Sequence, residues 1–345
     1  MRFDLTEEHR ALAEVTASLL AELCPPELLA RAWESDPGGS PEPEVERLWD
    51  ALAELGVHRL LLDEASDGLG LDEVALAVVC EELGHSAVPL PVAETICAMP
   101  VLAAAGRDDL VDPARDRAPL VAWWPEPAAL AAWGHQATVG LVGEDGESPA
   151  LRLLDPPAAR VVDVPLDRCR PLARLGDDPT GGQPLELAAS DIAALRLRLQ
   201  LAAAAQLVGL ARRMLAMTLD YVRGREQFGV PVGSFQAIKH ALADVHLRVE
   251  FARPAVWRAA WSMSSGDSAA ESHVSMAVLA SVRAAKEAAR VTIQAHGAMG
   301  YSAEYPLHMF AKRVWALEAS VAPADHRRML GRALGVPTTT RRASA

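Results

Sequence analysis

Two short polar segments carry the residues of this 345-residue chain best suited to chemistry: Arg225-Glu226-Gln227-Phe228-Gly229 and, 69 residues on, Gln294-Ala295-His296-Gly297-Ala298-Met299-Gly300-Tyr301. Arginine presents a planar fork of donors to phosphate oxygens, and a glycine-rich bend lets backbone N–H groups come close to a pyrophosphate. Together they read as halves of one anion clamp. Each alone is equally an ordinary helix terminus, one carrying an arginine and the other a Gly-x-x-Gly turn. His296 sits in the bend, where it either donates to a phosphate or closes the turn. Spacing reveals no Ser/His/Asp or Cys/His nucleophile. His240 and His246, six apart on a charged segment, fit no metal-ligand pair, so no metal is expected.

Long helices must position both segments. Residues 187–223, 234–264, 268–296 and 304–333 each fit one helix with short connections, which predicts an antiparallel four-helix bundle over 185–337. The arginine segment then follows the first helix and the glycine bend ends the third. Trp257, Trp261 and Trp315 are expected to fill helix interfaces, and Lys239, Arg248 and Arg253 to form a solvated face or a subunit contact. Upstream, residues 1–115 read as a helical domain. Phe3, Leu5, Leu12, Val15, Leu19 and Leu23 fall at mostly helical spacing, with Thr6 as cap and Glu7 and Glu8 in the first turn. Pro25-Pro26 end that helix, and an apolar helix over 71–83 is closed by Gly84. Over 116–184 proline and glycine rise, and alternating runs at 137–142, 150–154 and 160–164 predict a small β domain. The polar tail 338–345 is expected to be disordered. The fold class is therefore mainly α with a small β domain.

Half the residues are hydrophobic, so a large core can be buried; 33 basic against 46 acidic residues leave a net charge of −13. With no basic run, nucleic acid is not an expected partner. Cys24, Cys80, Cys97 and Cys169 are scattered, without a CxxC pair, and read as buried thiols in a reducing compartment. The sequence begins without the cationic and apolar pattern of a signal peptide, and no uninterrupted apolar run of 18 residues is present. A cytoplasmic protein without a membrane partner is the expectation.

The order of helical domain, small β domain and long bundle resembles the acyl-CoA dehydrogenases, over nearly the whole chain. Leu5-Thr6-Glu7-Glu8-His9-Arg10 is similar to the family's opening helix, and Glu81-Glu82-Leu83-Gly84 to a helix end of its first domain. Residues 225–229 with Phe235-Gln236 resemble the family's R-x-x-F-G … Q segment. Residues 294–301 with Glu304-Tyr305-Pro306 resemble its Q-x-x-G-G-x-G-[YF] … E-Y-P segment. The resemblance implies FAD as cofactor and an acyl-CoA thioester as substrate. In the family's reaction a carboxylate takes the α-proton while the β-hydrogen leaves as hydride to the flavin. It also implies that Arg225, Gln227, Phe228, Gln236, Gln294, Gly297 and Ala298 hold the pyrophosphate and adenosine of a flavin bound by the neighbouring subunit. Ala298 stands where the family has glycine.

The family's base positions are empty. Counting from Glu304, the usual glutamate position falls at Val321, and the alternative, ten residues before Gly209, falls at Leu199. Glu318, three residues short of the usual position, is a weak candidate on the same helix face, and Asp325 a weaker one. The ring-binding segments are depleted too: Trp123-Trp124-Pro125-Glu126-Pro127 is only a superficial echo, and the two tryptophans are expected to pack the domain edge. A chain that keeps the clamp and lacks the base resembles the shortened, non-catalytic partner in actinobacterial heteromeric (α2β2) acyl-CoA dehydrogenases. Those act on bulky substrates such as steroid side-chain thioesters. The resemblance then implies a catalytic paralogue as partner and half the usual number of flavins. A self-sufficient enzyme using Glu318 and a flavin-free scaffold are the alternatives.

Overall fold

The computed structural model describes residues 5–36, 39, 42–115, 117–144, 149–162, 165–176 and 182–336. The tail 338–345 lies outside them. The first third is helical: α1 (Glu7–Leu23), α2 (Pro26–Glu34), α3 (Pro43–Glu54), α4 (Glu73–His85), α5 (Val92–Ala104) and a single turn, α6 (Asp108–Val111). Thr6 caps α1, accepting the His9 N–H at 3.2 Å, with Glu7 and Glu8 in the first turn. Asp72 caps α4 through the Val74 and Ala75 N–H groups, at 2.9 and 3.1 Å. All four cysteines are buried and free.

Gly84 does not close α4 as expected; it lies in the last turn, where a Cβ would strike the backbone of Gln206. Its counterpart Gly209 sits where a Cβ would strike the Glu81 carbonyl. The two glycines thus let α4 and the long helix carrying Gly209 cross with backbones nearly touching. Gly209→Ala should gain about 1 kcal/mol in helix propensity yet lower the melting temperature, because overpacking against unyielding backbone costs about 1–3 kcal/mol or more. A thermal melt of the variant reads the sign.

Beneath α3, His58 is fully buried against Trp49, ring centroids 4.0 Å apart, and neither ring nitrogen has a partner among the described residues. Burial pushes its pKa down from 6.5 to about 3. The folded pKa lies below the unfolded one, so stability present above pH 6.5 is lost as the pH falls toward 3. At pH 4.5 the loss is about 2–3 kcal/mol from this residue, at roughly 1.4 kcal/mol per pH unit. Urea unfolding at pH 7 and pH 4.5 should show that His58→Met flattens this acid limb.

Next come β1 (Val121–Trp124), β2 (Leu130–Ala132), β3 (Val139–Glu144), β4 (Ala150–Leu154), β5 (Ala159–Val161), β6 (Leu172–Leu175) and β7 (Gln183–Leu185). They form one sheet of order β1-β3-β4-β7, in which only the β1–β3 pair is parallel, and an antiparallel sheet β2-β6-β5. Alternation sends Val121, Leu141, Leu151 and Leu153 into the main core, and Ala122, Trp124 and Val142 into a second small core with Ala131 and Leu175. Trp124 is therefore not at an edge as expected: it is fully buried at the centre of that small core, and a Cβ on Gly134 or Gly140 would crowd it. Thr95 ties α5 to this region, its hydroxyl donating to Pro119 O and accepting the Val121 N–H, both at 3.2 Å.

The bundle consists of α7 (Ala189–Gly224), α8 (Gln236–Ser264), α9 (Ala270–His296), α10 (Leu307–Val321) and α11 (Pro323–Ala333). The single helix expected over 304–333 is broken. Pro323 disfavours a helical conformation in the residue before it, and Ala322 turns left-handed at φ 45°. Among the described residues α7 is the one helix long and apolar enough to cross a membrane. The mean hydropathy of its best window is 1.2, and 56% of that window is buried within the molecule. The helix packs on α4, α5, α8, α9 and α10. Trp261 and Trp315, expected in helix interfaces, are 46% and 38% exposed.

Candidate functional site

After Gly224 the chain leaves α7 at Arg225, whose N–H donates to Tyr221 O at 2.9 Å and whose carbonyl accepts the Val232 N–H at 2.7 Å. Between those anchors β8 (Glu226–Gln227) and β9 (Val230–Pro231) form a tight antiparallel hairpin. Its two tip residues both have positive φ, Phe228 at 55° and Gly229 at 79°, the geometry of a type I′ turn. Glycine adopts it freely, whereas a left-handed phenylalanine costs about 1–2 kcal/mol. That residue is also 93% exposed, its ring facing that of Phe235 edge to face at 6.4 Å.

The second segment faces this hairpin. Gly297 ends α9 at φ 60°, ψ −134°, its N–H donating to Gln294 O, and the chain turns back so closely that a Cβ on Gly300 would lie 2.7 Å from Ile293 O. His296 is 4% exposed. Its Nδ1–H donates to Thr292 O at 2.8 Å, and its ring stacks on Tyr221 at 4.2 Å and leans on Tyr305 at 4.9 Å. Burial lowers its pKa, which favours the neutral ring, and these contacts make it a brace for the bend.

The two segments meet around one pocket of about 520 Å³, lined by Arg225, Gln227, Phe228, Gln294, Gly297 and Ala298. Gln236, the seventh residue expected there, is the exposed first residue of α8 and does not line it. Tyr221, Val232, Phe235, Ile238, Ala295, His296 and Met299 complete the wall. Of these, Tyr221 had a sequence signal: it lies four residues before Arg225, one helical turn back on the same face. Arg225 forms no ion pair with a described residue, so its guanidinium is free for an anionic ligand.

The base positions are apolar in space as well as in sequence. Val321 is 2% exposed in the main core, and Leu199 packs against that core. Glu318 lies on the outer face of the bundle, its carboxylate 2.8 Å from Lys286 Nζ. Asp325 pairs with Arg328 on the surface. Neither lines the clamp pocket. Among the described residues no group of His, Cys, Asp and Glu is placed to hold a metal ion.

An ion cluster joins the three parts of the chain. The Arg313 guanidinium of α10, 3% exposed, pairs with Asp167, 2% exposed, and donates to Val88 O at 3.0 Å and Cys169 O at 3.3 Å. Trp133 lies between Arg170, at 5.3 Å, and Arg313, at 5.9 Å, and Arg170 pairs with Glu94 of α5 at 3.4 Å.

Two models of one family match the chain: the acyl-CoA dehydrogenase N-terminal domain over residues 6–111 and the acyl-CoA dehydrogenase C-terminal domain over residues 192–320. Acyl-CoA dehydrogenase IpdE2 of Mycobacterium tuberculosis is 32% identical over 312 residues, which cover 89% of this chain and 91% of that protein. The chain belongs to the acyl-CoA dehydrogenase family. Among solved structures, the ChsE4-ChsE5 complex of Mycobacterium tuberculosis contains a chain with TM-score 0.84 at 21% identity, covering 98% of this chain and all of that one. A Tcur3481-Tcur3483 steroid ACAD variant gives 0.83 at 24% identity, covering 95% and 98%. These acyl-CoA dehydrogenase likenesses establish the fold.

Acyl-CoA dehydrogenases use FAD, which accepts hydride from the acyl chain while a protein carboxylate removes the neighbouring proton. The donor set at the clamp suits the phosphate end of that cofactor: a free guanidinium, two side-chain amides and a glycine bend around one pocket. At the two positions counted for the family's base stand Val321 and Leu199, neither of which can take a proton.

Proposed function

We propose that this chain is the clamp-bearing, non-catalytic subunit of a heteromeric, FAD-dependent acyl-CoA dehydrogenase. Its Arg225, Gln227, Phe228, Gln294, Gly297 and Ala298 hold the pyrophosphate and adenosine of a flavin whose ring, base and acyl-CoA substrate belong to a catalytic paralogue. The observation that carries the proposal is the contrast within one chain. Six clamp residues line a single pocket, while the base position is a valine 2% exposed in the core. Phe228, strained at the hairpin tip and 93% exposed, supports it, because bound adenosine or a facing subunit would cover it. The chain's likeness to a member of the ChsE4-ChsE5 complex and to a steroid ACAD supports a two-chain assembly acting on a bulky thioester such as a steroid side chain. We place it in the cytoplasm, where FAD and CoA thioesters are available.

The chain's part in turnover is to bind and orient. Arg225 neutralises phosphate charge and the glycine bend fixes the phosphates, which sets the reach of the flavin toward the partner's site. Tagged chain purified from its source should carry a longer acyl-CoA dehydrogenase chain and one FAD per pair of chains. One FAD per copy of this chain, with no second chain present, contradicts the proposal.

A further inference from the structure

A second cleft, of about 450 Å³, lies where α2 meets α7 and the start of α10. Tyr305 lines it, and the same ring leans on His296 and Tyr221, which line the clamp. One aromatic wall thus separates the two spaces, and no residue lines both. The cleft carries charges of both signs. Arg213, half-buried on α7, has its guanidinium carbon 6.0 Å from the centre of the Phe310 ring. Glu27 of α2, Asp220 of α7 and Glu304 just before α10 line the cleft too, all of them exposed. Arg213 nevertheless forms no ion pair with a described residue, and neither does Glu27 or Glu304. Asp220 reaches only the exposed Arg223, at 3.4 Å. Arg213 and Asp220 stand seven residues apart on α7, two turns or about 10 Å of helix. Met217 and Met309 supply apolar surface in the same cleft. Tyr305 feels both charges: its pKa is raised by burial, lowered by Arg213 and raised by Asp220.

Opposite charges that share a cleft without pairing, in a volume within the range of small-molecule sites, match a ligand that carries both charges itself. We infer that this cleft binds a small zwitterion, with a carboxylate at one end, an ammonium group at the other and an apolar body between them. Arg213 takes the carboxylate through its planar fork, the three carboxylates take the ammonium, and the two methionines cover the chain between. The flavin phosphates and an acyl-CoA are polyanions, which three carboxylates against one guanidinium repel. The site is built by this chain alone and needs neither flavin nor a partner.

Calorimetric titration of the full chain with 6-aminohexanoate, hexanoate and hexylamine tests the assignment. The amino acid should bind at least about 10-fold more tightly than either singly charged compound, as expected for the loss of one charge-assisted bond. Arg213→Gln should reduce its affinity to that of hexylamine for the parent, and Glu27→Gln/Glu304→Gln should bring it toward that of hexanoate. Two variants matching two truncated ligands is a pattern that misfolding would not produce, and Glu27 and Glu304 are exposed. Equal affinities for the three compounds would overturn the inference, as would failure of 6-aminohexanoate to bind at millimolar concentration. Binding lost in Arg225→Ala and unaffected by the cleft variants would place the ligand in the clamp and overturn it too.

Discussion

Arg313→Met is expected to destabilise the protein by about 3–5 kcal/mol, the cost of leaving a buried charge without its partner. Asp167 would keep its hydrogen bond from the Cys169 N–H at 3.0 Å but lose the guanidinium that neutralises it, in a site where both side chains are at most 3% exposed. The Val88 and Cys169 carbonyls would lose donors in the same step. Because these groups come from the helical part, the β part and the bundle, the loss should loosen the β part first. A double replacement, Arg313→Met with Asp167→Leu, removes both charges and should recover much of the stability, since a buried ion pair replaced by apolar groups is often neutral. Denaturant midpoints of the two variants measure both effects. Equal destabilisation by the single and double replacements would mean that packing, rather than charge pairing, holds the junction.

In the assembled heteromer, Arg225→Ala is expected to weaken FAD retention by about 10- to 150-fold, corresponding to about 1.5–3 kcal/mol for a lost charge-assisted hydrogen bond. Arg225→Lys should restore only part of it, because an ammonium lacks the two-pronged geometry of guanidinium. Gln236→Ala should behave like the parent, since that side chain lies outside the pocket. Flavin released on dialysis, read by absorbance, separates the three. A parent-like Arg225→Ala would remove the clamp assignment and favour a scaffold that has lost flavin altogether.

How much of this was legible in the sequence follows from the range of the interactions. The local shape of the two segments was, because each is a local pattern: a helix end followed by a turn, with arginine or glycine at a fixed offset. The cap at Thr6 and the glycine-rich bend were legible for the same reason. Gly84 was legible as a special position but misread, since its role depends on Gln206, far away in sequence. The Arg313–Asp167 pair joins residues 146 apart, and nothing near either one marks it. Trp261 and Trp315 were assigned to interfaces on residue type alone, which does not say which helix face is covered. The break at Ala322 was foreshadowed by Pro323, yet its consequence, a separate α11 packed on α9, required the fold. His296 shows the limit in one residue: two roles were open in the sequence, and the Tyr221 and Tyr305 rings that make it a brace come from other helices and turns.

The most direct test of the central claim is the visible spectrum of this chain purified alone, incubated with FAD, desalted, and then mixed with acyl-CoA thioesters that include a steroid side-chain thioester. A chain that offers only a clamp should retain little flavin and show no thioester-dependent bleaching, and both should be gained on co-expression with an acyl-CoA dehydrogenase chain that carries the glutamate missing at Val321. Retained flavin that bleaches with a thioester in the chain alone would contradict the account and point to a carboxylate such as Glu318 acting as base.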